Sequence, residues 1–137
     1  MMAMKFLLDA FDEFGPKSAF DEALRFCLIE LLDAHRTEDL HRLVTADGDS
    51  FGVAGDPDWF IDRIDKANSD KREGWPAEAE FHASVNPGEF WMSHPDFFAS
   101  RDVFLTYVEA IAVPYIERRP EDKEVMREVL DALRTRR

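Results

Sequence analysis

The stretch EFHASVNPGEFWMSHPDFF, running from Glu80 to Phe98, decides how this chain folds. Phe81, Ala83 and Val85 alternate with Glu80, His82 and Ser84, the period-two pattern of a strand with one buried face. Asn86-Pro87-Gly88-Glu89 then supplies proline and glycine where a type II turn wants them. If the chain folds back there, Val85 faces Phe90, Ala83 faces Met92 and Phe81 faces His94. The other face then carries His82, Ser84, Trp91 and Ser93. A two-residue loop prefers a primed turn, so the connection is expected to be longer or bulged. A lone hairpin is marginal in water, so it has to pair with further strands or lie on helices.

Helices are expected on both sides of it. Ser18 is a suitable N-cap, followed by Asp21 and Glu22 at the positive helix end. From there Phe20, Ala23, Leu24, Cys27, Leu28 and Leu31 form an inner face, broadened by Phe26, Ile29 and Leu32 until the helix reads as the buried centre of the fold. A short helix from Thr37 follows through Leu40, Leu43 and Val44. Ala46–Asp58 holds too much glycine and aspartate for a helix and reads as a loop with one short strand near residues 50–54. Asp56-Pro57 looks like an N-cap with proline at the first helical position, which predicts a helix burying Phe60, Ile61 and Ile64. Residues 65–74 are polar and charged and read as a loop. Pro95-Asp96 and Ser100 are helix-start signals, ahead of a stripe of Val103, Phe104, Tyr107, Val108 and Ile111 that Pro114 ends or kinks. A last helix opens at Pro120 and spends Val125, Met126, Val129, Leu130 and Leu133 on the core. Residues 5–14 fit a short helix ended by Gly15-Pro16. The expectation is an α+β fold: a helix-dominated single globular domain over residues 1–137, with a small antiparallel sheet built on a hairpin near residues 79–94.

Composition narrows the function classes. The chain has 137 residues, 45% of them hydrophobic, with 12 Phe, enough for a core built on large rings. Its net charge of −12 disfavours nucleic acid and anionic membranes as partners and favours cationic ones. Residues 1–70 hold 16 acidic and 7 basic side chains, against 13 and 10 in residues 71–137, so the acidity belongs mainly to the first half. A single cysteine, Cys27, rules out an intrachain disulfide and suits a reducing compartment. The early run MMAMKFLLDAFDEF is broken by Asp9 and Asp12, unlike a signal peptide, and a cytoplasmic location is expected.

No motif in the chain names a reaction. The four histidines, His35, His41, His82 and His94, make no i, i+4 metal pair, and no Cys–His cluster exists. DGDSFGVAGDPD (47–58) echoes a calcium loop but places Phe51 where an oxygen ligand belongs and ends on Asp58 where a glutamate is needed. There is no G-x-S-x-G elbow and no P-loop. Cys27 sits among Phe26, Leu28 and Ile29, a buried and inert setting. Neither enzyme activity nor a cofactor nor a metal is expected. PDWFIDR (57–63) echoes PDFFASR (95–101), which two similar helix starts would explain.

The most suggestive feature is acidic. On a helix after Pro57, Asp58, Asp62 and Asp65 share one face at i, i+4 and i+7, and like charges so spaced cost about 0.2–0.5 kcal/mol per pair. Asp47, Asp49 and Asp56 are expected to extend this ridge, along with Glu38 and Asp39, and His82 and Trp91 to add a contact surface from the hairpin. With GEFWMS (88–93) leading into FLTYVEAIAVPYIERRP (104–120), the chain resembles the small acidic immunity proteins that bacteria encode beside contact-dependent or secreted toxins. That resemblance implies a cytoplasmic inhibitor that binds one basic cognate toxin directly. The alternatives are a small-ligand or catalytic pocket beside His82, Ser84, Trp91 and His94, and a homodimer closed over Trp91.

Overall fold

The computed structural model describes residues 10–14, 20–45, 51–55, 58–64, 74–86 and 93–136. The fold is α+β, as the sequence pattern requires. Helices α1 (Glu22–Asp33) and α2 (Thr37–Thr45) precede four strands: β1 (Phe51–Gly55), β2 (Trp59–Arg63), β3 (Phe81–Val85) and β4 (Asp96–Ala99). Helices α3 (Arg101–Arg118) and α4 (Lys123–Arg136) close the described chain, separated by a 3-10 turn at Pro120–Asp122. The sheet is antiparallel in the order β1-β2-β3-β4.

Helix α1 is the centre of the molecule, as its broad apolar face foretells. It lies on the inner sheet face against β2, β3 and β4, and it touches α2 and α3 on its other sides. Ala23, Leu24, Cys27, Leu28, Leu31 and Leu32 are buried there with Ile61, Phe81, Ala83 and Val85 from the sheet. Phe81 stacks on Phe104 of α3 with ring centroids 3.8 Å apart. Met126, Val129 and Leu133 of α4 join the same core, as expected of that stripe. Cys27 Sγ lies 3.6 Å from the Phe60 carbonyl and 3.8 Å from that of Ser84, and burial raises its thiol pKa far above the ordinary value. It is the inert core residue its neighbours suggest.

Polar groups inside the helical layer are tied to particular partners. Asp21, at the start of α1, accepts the Tyr107 hydroxyl and lies 3.0 Å from Arg25 Nε, an ion pair by distance that is not aligned as a hydrogen bond. His35 follows α1 in the left-handed region at φ 58°, where glycine is usual. The bonds His35 N–H to Leu32 O and Arg36 N–H to Leu31 O form the paired closure of a Schellman cap. The His35 ring then meets Asp122 at 3.1 Å and Tyr115 at 3.2 Å, and Tyr115 also donates to Asp122.

Several expectations fail, each for an identifiable reason. The helix expected after Pro57 is strand β2. Over five residues an i, i+4 pair falls on one face under either period, and Trp59, Phe60 and Ile61 prefer a pleated surface. Phe60 consequently points away from the core. The partner of β3 is residues 96–99, not 90–94: Phe81 pairs with Ala99, His82 with Phe98 and Ala83 with Phe97. Asp96 therefore begins a strand, and Ser100 alone keeps the helix-start role, its Oγ accepting the Val103 N–H at 3.3 Å. The echoed stretches contribute the two strands that flank β3, Trp59–Arg63 and Asp96–Ala99, and only the second leads into a helix, through Ser100. Of the two outcomes expected at Pro114, ending the helix does not occur: α3 runs on through it to Arg118. Phe20 and Val103, both assigned to inner faces, are 65% and 39% exposed. Ser18, the loop at 65–73, the turn at 87–89 and most of the 5–14 segment lie outside the described residues.

Candidate functional site

One face of the sheet is covered by α1. On the other face strand parity collects outward side chains: Gly52 and Ala54 of β1, Phe60 and Asp62 of β2, His82 and Ser84 of β3, and Asp96 and Phe98 of β4. None of these positions is a lysine or arginine. His82 is the hub. Its ring stacks on Phe98 at 4.1 Å, meets Phe60 edge-on at 5.3 Å and Trp75 edge-on at 5.7 Å, and its Nε2 lies 2.9 Å from Asp96 Oδ1. Trp75 also packs edge-on against Phe98. The echo between PDWFIDR and PDFFASR has a structural meaning here, since Phe60 and Phe98 reach His82 from its two neighbouring strands.

Carboxylates edge this aromatic cluster. Asp58 precedes β2, is exposed, and accepts from Asn86 Nδ2 at 3.0 Å. Asp62 pairs in register with His82 on one side and Gly52 on the other. Its carboxylate lies over Gly52 so closely that a Cβ there would collide with Oδ1. The Asp62 carboxyl is pushed above its ordinary pKa because part of its hydration is lost over the sheet, with His82 pulling the other way. Of the residues expected at a contact surface, Asp62 and His82 pair on one sheet face, held there by strand parity instead of a helical ridge, and Asp58 lies just before β2, bonded to Asn86. Asp47, Asp49, Asp56, Asp65 and Trp91 lie outside the described residues. Asp96, Phe60, Trp75 and Phe98 belong to the surface but were not singled out by sequence reasoning. Moving the pairing register from 90–94 to 96–99 would have found two of them.

His82 and His94 do not approach each other. His94 instead meets Glu22 at the start of α1, its backbone N–H donating to Oε1 at 2.5 Å and its Nδ1 lying 3.5 Å away. Among the described residues no three His, Cys, Asp or Glu side chains are grouped as metal ligands.

A second surface lies along α3, on the helical side. Phe14, Tyr107, Phe97 and Phe20 form a row of rings with successive centroid separations of 4.5, 6.2 and 5.8 Å. Val103, Thr106, Ala110 and Val113 of α3 line the row through two adjoining clefts of about 390 and 600 Å³ that share Thr106. Val113 is 48% exposed. The apolar residues are therefore not all consumed internally. Sequence reasoning missed this groove because it placed Val103 on the inner stripe of the helix and Phe20 on the inner face of α1, and both stand exposed.

The chain matches no protein-family model, no curated protein and no solved structure. No helix among the described residues is long and apolar enough to cross a membrane.

Proposed function

We propose that this chain is a small acidic binding protein of the immunity type, which neutralises a basic toxin by direct contact through the outer sheet face. The observation that supports this most is the carboxylate set Asp58, Asp62 and Asp96 around the His82 cluster, on a sheet face whose outward positions hold no lysine or arginine. Asp62 keeps its carboxylate where burial disfavours the charge. That placement weighs slightly against the fold and suits a surface that receives cations. Aromatic rings beside carboxylates suit arginine, which can pair with the acids and lie against the rings. Opposite charge also speeds association with a basic partner, the property an inhibitor needs most.

The pocket reading gains nothing from the position of His82. Its ring is packed between Phe98, Phe60 and Trp75, and Nε2 is engaged by Asp96. A ring so enclosed is poorly placed to meet a substrate.

The test is affinity capture with this chain, then co-expression of the captured protein with and without it. The expected result is a basic protein that is toxic alone and tolerated in company. Changing Asp58, Asp62 and Asp96 together to Asn should weaken binding by about tenfold or more, mostly through the association rate. The reading is overturned if binding is the same at about 50 mM and about 500 mM salt, or if the triple variant protects as well as the original chain.

A further inference from the structure

His82 is the hub of the outer sheet face and is itself able to become the kind of ion that face attracts. Phe98 is stacked on its ring at 4.1 Å with 8° between the planes, and Phe60 and Trp75 meet it edge-on. Asp96 Oδ1 lies 2.9 Å from Nε2, and Asp62 stands in register with it on β2. Carboxylates and aromatic faces are what a cation seeks. Imidazole is the side chain that ordinarily changes charge between about pH 5 and 8. The site therefore holds a cation of its own that forms in mild acid.

The groups around the ring favour that proton. Among the described residues, β2 presents Asp62 and β4 presents Asp96, while Trp75 adds a neutral ring. Arg63 of β2 points to the opposite face, where its Nη1 donates to the Leu43 carbonyl. Two residues back along β3, Glu80 is met by Arg101 at 3.1 Å. The pair is also open to solvent: the His82 side chain is 17% exposed and that of Asp96 53%.

We propose that His82 is a proton-operated switch on the cation-binding face: uncharged, it leaves Asp62 and Asp96 to a basic partner, and protonated, it takes up their charge and loosens that partner. The inference rests on the binding function proposed above and names its regulation. A charged His82 cancels one of the carboxylates Asp58, Asp62 and Asp96 and sets a positive group beside the incoming one. The coupling runs both ways, so a basic partner that docks in mild acid drives the proton off His82.

The experiment follows the anisotropy of a rhodamine-labelled peptide of alternating arginine and glycine, titrated with the full chain at about pH 7.5 and about pH 6.0 and fixed salt; the peptide keeps its charge at both. Its affinity for the original chain should fall at least about fivefold between the two. His82→Phe keeps a ring among Phe98, Phe60 and Trp75 but takes no proton, and its fall should shrink to about twofold or less. Part of that remainder belongs to Asp62, whose carboxyl is raised by lost hydration. His41→Gln, on α2 beside Glu128, should keep the full fall, which shows that net charge alone is not the cause. Circular dichroism checks that His82→Phe is folded. Should it not be, His82→Gln serves, because an amide can bond Asp96 without gaining charge. Calorimetry at about pH 6.5, in two buffers of different ionisation enthalpy, should show protons released on binding by the original chain and fewer by the His82 variant. No fall in the original chain, an equal fall in the His82 variant, a fall lost in His41→Gln, or equal proton release overturns the proposal. Failure of the underlying reading looks different: the Asp58, Asp62 and Asp96 to Asn variant would then bind the peptide as tightly as the original chain at the higher pH, and the switch would fall with it.

Discussion

The outer sheet face and the α3 groove both bring aromatic rings to the surface, yet the rings are used in opposite ways. On the sheet, Phe60, Trp75 and Phe98 close around His82, and each ring covers part of another. Their apolar area is largely spent, and what remains for a partner is a rim of carboxylates. Along α3, the row from Phe14 to Phe20 has a buried centre at Tyr107 and ends in the exposed Phe20, beside the exposed Val103 and Val113, with Asp102 and Glu109 among the described lining residues. One surface offers charge on a rigid aromatic base and the other offers apolar area with a charged margin. Counting aromatic residues cannot tell these apart, because the difference lies in whether the rings have already buried one another.

Stability measurements give the widest margin for testing that contrast. Phe98→Ala should cost about 1.5–3 kcal/mol in denaturant unfolding, since the ring packs on both His82 and Trp75. Phe20→Ala, removing a ring that is 65% exposed, should cost less than about 0.5 kcal/mol. Equal costs would mean that the two surfaces are not different in kind. An intermediate effect is expected where α3 is anchored. Asp122 accepts from Tyr115 and sits beside His35; burial acts to raise its pKa, but these hydrogen bonds outweigh it and hold the carboxyl below its ordinary value. Stability contributed by such a group is complete above the ordinary aspartate range and is lost as pH falls through the depressed value. Asp122→Asn should therefore cost about 1–2 kcal/mol near neutral pH, and the gap to the original chain should narrow on acidification. A gap that does not change with pH would mean that the carboxylate charge is not what holds the end of α3.

How much of this was legible in the sequence differs between the two surfaces. The strand Phe81–Val85, the central helix and the closing amphipathic helix have periods long or clean enough to be read directly. Strand β2 was not legible. Asp56-Pro57 imitates a helix start, and Asp58 and Asp62 share a face in a helix and in a strand alike, so the acidic grouping survived a wrong assignment of its element. The pairing register of β3 was unreadable for a related reason: residues 90–94 and 96–99 both offer apolar residues two apart, Phe90 with Met92 and Phe97 with Ala99, and only the sheet as a whole chooses between them. The groove left no signal in spacing, because Val103 and Val113 look like any other apolar residues of a helix rich in them. What distinguishes them is that both stand exposed, which is a property of tertiary arrangement.

The smallest expected effect is the one that ties stability to function most directly. Asp62 is the reverse of Asp122: loss of hydration over the sheet raises its folded pKa, against the pull of His82. At neutral pH the charged form is thus disfavoured in the fold, and stability rises as pH falls from the raised value toward the ordinary one. Asp62→Asn removes the charge while keeping the shape, so it should stabilise the chain slightly, by less than about 0.5 kcal/mol for a side chain this exposed. That gain should fade in acid, where the original carboxyl is protonated as well. The same substitution should slow association with a basic partner, giving a variant that is more stable and a poorer binder. If Asp62→Asn leaves the chain less stable at neutral pH, the carboxylate is supporting the sheet, and its place on the outer face needs no partner to explain it.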